Sequence, residues 1–142
     1  MMKRVRMYTD GGARGNPGPA ATGVVLLELD ADGNEGELVC EFGVYLGETT
    51  NNQAEYMAIV HGLQKAKELG FNYVDARLDS ELAVKQLTGV YKVKNAGLAK
   101  RVLDVYNLKQ SFREVRFTHI RREKNTRADA MVNVAIDREL AG

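Results

Sequence analysis

Tyr8-Thr9-Asp10-Gly11-Gly12-Ala13-Arg14-Gly15-Asn16-Pro17-Gly18-Pro19 follows a short segment in which Val5 and Met7 alternate with Arg6 and Tyr8. That alternation is the pattern of a strand. Asp10 is therefore expected where a strand runs out, which is where α/β sheets bind ligands. The glycines leave backbone N–H groups uncovered, and Pro17 and Pro19 stiffen the loop. Taken alone, Asp-Gly-Gly reads equally well as a tight hairpin turn, with Asp10 capping its own loop through an Asx hydrogen bond.

Downstream, Gly23–Leu29 reads as a largely buried strand, residues 30–36 as a turn, and Leu38–Gly47 as a third strand with Cys40, Phe42, Val44 and Leu46 on one face. Three strands joined by short loops predict an antiparallel meander. Met57, Ala58, Ile59, Leu63, Ala66 and Leu69 then recur at helical spacing up to Gly70, with Asn52 the expected N-cap and Glu55 three residues on. Tyr73–Asp79 is another strand ending in a carboxylate, followed by a short helix from Ser80 to Gly89 and a basic connector, Tyr91-Lys92-Val93-Lys94-Asn95. Leu98, Val102, Leu103, Val105 and Tyr106 outline a further helix, Val115–Ile120 a last strand, and residues after Asn125 a closing helix that carries Asp129 in its first turns. The order β-β-β-α-β-α-α-β-α predicts an α/β fold: a five-stranded mixed sheet, three antiparallel strands first and parallel strands after, flanked by helices.

The 142 residues fit one domain, 1–142, with 44% hydrophobic and 27% charged residues, a composition that disfavours disordered, collagenous and membrane classes. Cys40 is the only cysteine, so no internal disulfide forms, and Met-Met-Lys-Arg-Val-Arg has no long apolar run behind it. These features predict a cytoplasmic chain with no signal peptide or membrane span. Net charge is +1, but residues 1–71 hold 6 Lys and Arg against 10 Asp and Glu, and residues 72–142 hold 14 against 9. An acidic half facing a basic one suits a polyanion held beside cations, although scattered surface charge would give the same count.

Asp10, Glu55, Asp79 and Asp129 each have a structural explanation: an Asx turn, a capping box, a helix cap and a helix-dipole contact. All four nevertheless fall at strand ends or helix starts, the places that can converge on one edge of a mixed sheet. Together with Tyr8-Thr9-Asp10-Gly11, Gly15-Asn16-Pro17-Gly18, Thr50-Asn51-Asn52-Gln53-Ala54-Glu55, Asp79-Ser80 and Asn125-Thr126-Arg127-Ala128-Asp129, in that order, the chain resembles a type 1 ribonuclease H from about residue 3 to residue 137.

The resemblance implies a metal-dependent endoribonuclease that hydrolyses the RNA strand of RNA/DNA hybrids, with two Mg²⁺ ions, or Mn²⁺ in their place, held by Asp10, Glu55, Asp79 and Asp129. Two cations roughly 3.5–4 Å apart bind both the attacking and the leaving oxygen of a phosphodiester. Hard oxygen donors without a Cys/His cluster suit Mg²⁺ better than zinc. By position, Asp10 would bridge the ions, Glu55 and Asp79 would serve the leaving-group side, and Asp129 the water side. Resemblance also assigns Asn16, Asn51 and Asn52, with the backbone of Gly11 and Gly12, to the minor-groove face of the hybrid, and Thr50 and Asn95 to a DNA phosphate pocket. Such groups hydrogen-bond sugar and phosphate without reading bases.

The chain departs from the family pattern in two places. The flexible histidine of well-known members is missing from the shorter loop Arg121-Arg122-Glu123-Lys124, and Arg122 is expected in its place as a permanent cation that cannot carry a proton at neutral pH. His119, on the last strand, is expected to be a packed or edge residue, and His61, within the first long helix, a structural one. The basic handle of some members is also absent, which predicts weaker and more salt-dependent hybrid binding. The expected form is a monomer. Two alternatives remain at this point: cleavage of double-stranded RNA as well, whose A-like shape resembles the hybrid, or a hybrid-binding module without catalysis.

Overall fold

In the computed structural model, which describes residues 2–142, the long strand β1 (Arg4–Ala13) occupies the centre of a five-stranded sheet ordered β3-β2-β1-β4-β5. β2 (Gly18–Leu29) and β3 (Glu35–Thr49) form the antiparallel meander, and β4 (Tyr73–Leu78) and β5 (Glu114–His119) run parallel to β1. The helices are α1 (Asn51–Glu68), α2 (Glu81–Leu87), α3 (Ala96–Lys109) and α4 (Thr126–Ala141), with a 3₁₀ turn at Arg122–Lys124. The expected element order and mixed sheet are both present.

One expectation is corrected at the most informative position. β1 does not run out at Asp10; it continues through both glycines to Ala13, paired residue for residue with β2 as far as Ala13↔Ala20. What ends is its parallel neighbour, since β4 pairs with β1 only to Thr9↔Leu78. Asp10 is thus the first β1 residue past the end of β4. The glycines permit close packing: a Cβ on Gly11 would collide with the backbone of Ala54 and Glu55 at the start of α1. The true turn is Arg14–Pro17, where Gly15 takes a φ of +102°.

α1 lies on one sheet face and α3 packs on α1, around Val5, Met7, Val24, Leu26, Tyr56, Ile59 and Leu63. α4 covers part of the other face, with Val132 and Ile136 against Ala21 and Tyr45. Cys40, Phe42 and Val44 share the α1 side of β3, opposite Leu26, Val24 and Thr22, although Val44 is 38% exposed, while Tyr45 on the other face packs toward α4. The bulge between Ala20 and Ala21 of β2 shifts the register there. Leu103 and Tyr106 were expected on the packed side of α3, yet they face outward at 57% and 37% exposure, because only Leu98, Val102 and Val105 reach α1.

The caps differ from expectation as well. Thr50, not Asn52, caps α1, its side chain accepting from the Gln53 amide at 3.2 Å. Glu55 then lies beyond the capping-box position and is released for other work. Ser80, not Asp79, caps α2 by accepting from the Ala83 amide at 3.1 Å. Among the described residues no helix is long and apolar enough to cross a membrane.

Candidate active site

The end of β4 leaves a notch beside β1, and four elements fill it. Asp10 comes from β1, Glu55 from the second turn of α1, Asp79 from the residue after β4, and Asp129 from the first turn of α4. They border a cleft of about 360 Å³ whose lining includes Asp10, Gly12, Asn51, Glu55, Arg122 and Asp129, with Asp79 and Ser80 in the adjoining recess beside Asp10 and Glu55.

Crowding of like charge shows in the titration of the two most enclosed carboxyls. Asp10 is pushed up to about 8, first by burial and then by Asp79, Asp129 and Glu55, with Asp129 near enough to share a proton. Burial likewise raises Glu55 to about 7, with Asp79 adding to the rise; the nearby Ser80 hydroxyl and the Arg122 guanidinium oppose it. Arg122 is therefore placed where sequence reasoning expected a cation, while its neighbour Arg121 faces Glu123 at 4.0 Å.

As placed, no three carboxylate, imidazole or thiol groups among the described residues surround one point closely enough to hold an ion. The donor set nevertheless fits a hard divalent cation: four carboxylates, two of them driven toward protonation by burial and by one another, form a site whose charge such an ion would neutralise.

The expected substrate contacts separate into two groups. Asn16 and Asn51 hold the β1–β2 turn to α1: the Asn51 amide donates to Asn16 Oδ1 at 3.1 Å, and the Ala13 amide to Asn51 Oδ1 at 2.8 Å. Each side-chain Nδ2 makes no hydrogen bond among the described residues. Gly11 and Gly12 both line the cleft and Asn52 is exposed; Gly11 is also buried against the start of α1, where it permits the close approach of helix and strand. Thr50 and Asn95 stand outside the cleft lining, at the adjacent N-termini of α1 and α3. Asn95 Oδ1 accepts from Gly97 and Leu98, and Gln53 bridges the two helices by accepting from Arg101 Nε at 3.4 Å.

Both histidines lie where the sequence placed them. His119 ends the edge strand β5, and His61 Nδ1 sits 2.9 Å from the buried Thr22 hydroxyl, its pKa lowered by burial.

Sequence reasoning missed the parts that Ser80, Arg14, Asn133 and the Asn125 side chain take. Ser80, expected only to open the short helix after β4, has its hydroxyl beside Glu55 while it caps α2. Arg14 reaches α4, pairing with Asp137 at 2.7 Å and donating to Asn133 Oδ1 at 3.2 Å, and Asn133 in turn donates to the Asp129 carbonyl. The spacing of Asp129, Asn133 and Asp137, four residues apart on one helix face, was the available signal. Asn125 precedes α4 as expected, but its side chain makes no capping bond and points into the site.

A five-stranded mixed sheet with four carboxylates gathered past the end of β4, beside the starts of α1 and α4, defines an α/β protein with an acidic cleft, and comparison with known proteins specifies the family. The family model described as reverse transcriptase-like matches residues 8–135. Ribonuclease HI of Halobacterium salinarum is 42% identical, covering 94% of this chain and 65% of its own length. The bifunctional protein Rv2228c of Mycobacterium tuberculosis is 37% identical over 94% of this chain and 36% of its own, so the chain spans two thirds or less of these relatives. The crystal structure of LC11-RNase H1 in complex with an RNA/DNA hybrid superposes with a TM-score of 0.87 at 45% identity, covering 96% of this chain and 99% of the other. The chain belongs to the type 1 ribonuclease H family.

Proposed function

We propose that this chain, acting as one domain and as a cytoplasmic monomer, is an endoribonuclease that hydrolyses the RNA strand of RNA/DNA hybrids by a two-metal-ion mechanism. The observation that carries the reading is the convergence of Asp10, Glu55, Asp79 and Asp129 at the end of β4, with Asp10 raised to about 8 by burial and by its three acidic neighbours. Purely structural carboxylates are more often paired with cations, as Asp75 is here with Arg6 and Arg77, which hold its pKa below the usual range against the opposing effect of burial. The LC11-RNase H1 complex with a hybrid supports the substrate class.

Two Mg²⁺ ions, or Mn²⁺, held by the four carboxylates would supply Lewis-acid stabilisation of the attacking and leaving oxygens of the phosphodiester. The chain's own groups do the rest. Arg122 presents a permanent positive charge at the cleft mouth, suited to the scissile phosphate or the released product. The Ser80 hydroxyl beside Glu55 favours the ionised form of that carboxyl. The side-chain amides of Asn16 and Asn51, with their oxygens already bonded to the backbone, present N–H donors to sugar and phosphate oxygens. The backbone of Gly11 and Gly12, with Asn52, extends this face, and Thr50 with Asn95 offers donors at two helix N-termini to a phosphate of the DNA strand.

The test is cleavage of an end-labelled hybrid, with double-stranded RNA alongside, by wild type and Asp10→Asn in Mg²⁺, Mn²⁺ and EDTA. Wild type should cut the RNA strand only with a cation, and folded Asp10→Asn should cut at least a hundredfold more slowly. An intact hybrid under every metal, or equal cutting by Asp10→Asn, overturns the reading in favour of a binding module. Comparable cutting of both duplexes would broaden the substrate to A-like helices.

A further inference from the structure

Asn125 is 1% exposed and sits where β1, the end of β4 and the start of α4 meet. Its Nδ2 spends both protons inside the protein, donating to the Thr9 carbonyl and to Asp79 Oδ2, each at 2.9 Å. Its Oδ1 is buried and has no partner among the described residues. Exchanging the two ends of the amide would face that oxygen toward two other acceptors, so the orientation follows from the hydrogen-bonding chemistry.

An asparagine before a helix ordinarily turns its oxygen onto the first amides of that helix, as Asn95 does for α3. Asn125 leaves that bond unmade and aims its donors at a carboxylate instead. Its backbone serves the same place, because its carbonyl accepts from the Asp129 amide at 3.1 Å. One residue thus joins the neighbour of Asp10, the Asp79 side chain and the turn that carries Asp129.

Resting on the metal-dependent reading above, we propose that Asn125 is a positioning residue that orients the Asp79 carboxylate toward a divalent cation. It holds Oδ2 and leaves Oδ1 without a hydrogen bond among the described residues, at the recess that Asp79 shares with Asp10 and Glu55. An outer amide of this kind fixes the rotamer of a ligand and keeps its lone pairs directed before the ion arrives.

The experiment compares wild type, Asn125→Ala, Asn125→Ser, Asp79→Asn and the Asp79→Asn/Asn125→Ala double variant of the full chain. Mn²⁺ affinity is read by electron paramagnetic resonance, hybrid cleavage as a function of Mg²⁺ concentration, and folding by thermal unfolding. Asn125→Ala should weaken Mn²⁺ binding about tenfold or more and move the Mg²⁺ dependence of cleavage to higher concentration, while Asn125→Ser, which keeps one donor, should do so less. The double variant should bind Mn²⁺ no more weakly than Asp79→Asn alone, since Asn125 acts through Asp79.

A merely structural asparagine would lower the unfolding temperature yet leave Mn²⁺ affinity unchanged in the folded protein, and that result overturns the proposal. Should Asn125→Ala fail to fold, Asn125→Ser decides by the same criterion. Wild type that neither binds Mn²⁺ nor cuts a hybrid removes the functional reading itself, whereas wild type that does both, with Asn125→Ser and Asn125→Ala unaltered in Mn²⁺ affinity, removes the positioning role alone.

Discussion

Asp10 is held in a place that its charge makes unfavourable, and the sign of its effect on stability follows. Its pKa rises from 3.8 to about 8 on folding, so the stability it contributes is complete below about pH 4 and is lost as pH rises to about 8. Asp10→Asn removes that loss. In EDTA at pH 8 it should raise the thermal midpoint by at least a few degrees, at roughly 4 °C per kcal/mol for a chain of this size, while abolishing hybrid cleavage. Calorimetry and a cleavage assay on the same preparation check both halves, and an unchanged midpoint would contradict the assigned environment. Arg122 is one of the two groups that hold Glu55 down from a still higher value. Arg122→Ala should therefore shift the acid limb of the cleavage pH profile toward higher pH, and Arg122→Lys less so. An Arg122→Ala profile that superposes on wild type would remove the cation from the site's electrostatics.

At the scale of elements, the site depends on how closely α1 approaches β1. Gly11 makes that approach possible, since any Cβ there meets the Ala54–Glu55 backbone, which cannot yield as a flexible side chain would. Gly11→Ala should cost about 1–3 kcal/mol or more in urea unfolding and displace Glu55 from Asp10, lowering cleavage beyond what the lost stability explains. Gly12→Ala, which would meet only Val132 at an ordinary contact of 3.4 Å, is the matched control and should be nearly neutral for stability. The two substitutions differ by one position on one strand, and the difference lies in which helix each faces.

Across the whole molecule, cation binding and folding are linked through the same crowded carboxylates. Raising the pH from about 5 to about 8 in EDTA should lower the unfolding temperature, because Asp10 and Glu55 must both ionise in the native state. Mg²⁺ should restore it, and by more at pH 8 than at pH 5, since a ligand that binds only the native state stabilises it by mass action. Equal Mg²⁺ effects at the two pH values would show that the ion binds elsewhere. The exposed α2–α3 connector carries only Lys92 and Lys94 as cations. If both reach phosphates, Lys92→Gln/Lys94→Gln should reduce the salt slope of hybrid binding by about 2, at roughly 0.7–0.9 per phosphate neutralised.

The sequence by itself determined the element order, the mixed sheet and the four carboxylates, because strand alternation, helical spacing and motif order are local properties written along the chain. It also placed a cation at Arg122 and kept His61 and His119 out of the cleft. Only the tertiary structure decided where β1 ends, since a glycine pair reads as a turn until α1 and α4 are seen pressed against it. The caps followed the same logic: Thr50 and Ser80 took α1 and α2 because the helix starts lie one or two residues from where composition put them, and Glu55 and Asp79 were thereby left to the site. The outward turn of Leu103 and the exposure of Val44 depended on how much of each element its neighbours cover. Least legible was Asn125, which looks like an ordinary cap in one dimension; its amide serves the carboxylates only because Thr9, Asp79 and Asp129, far apart in the chain, meet around it in the fold.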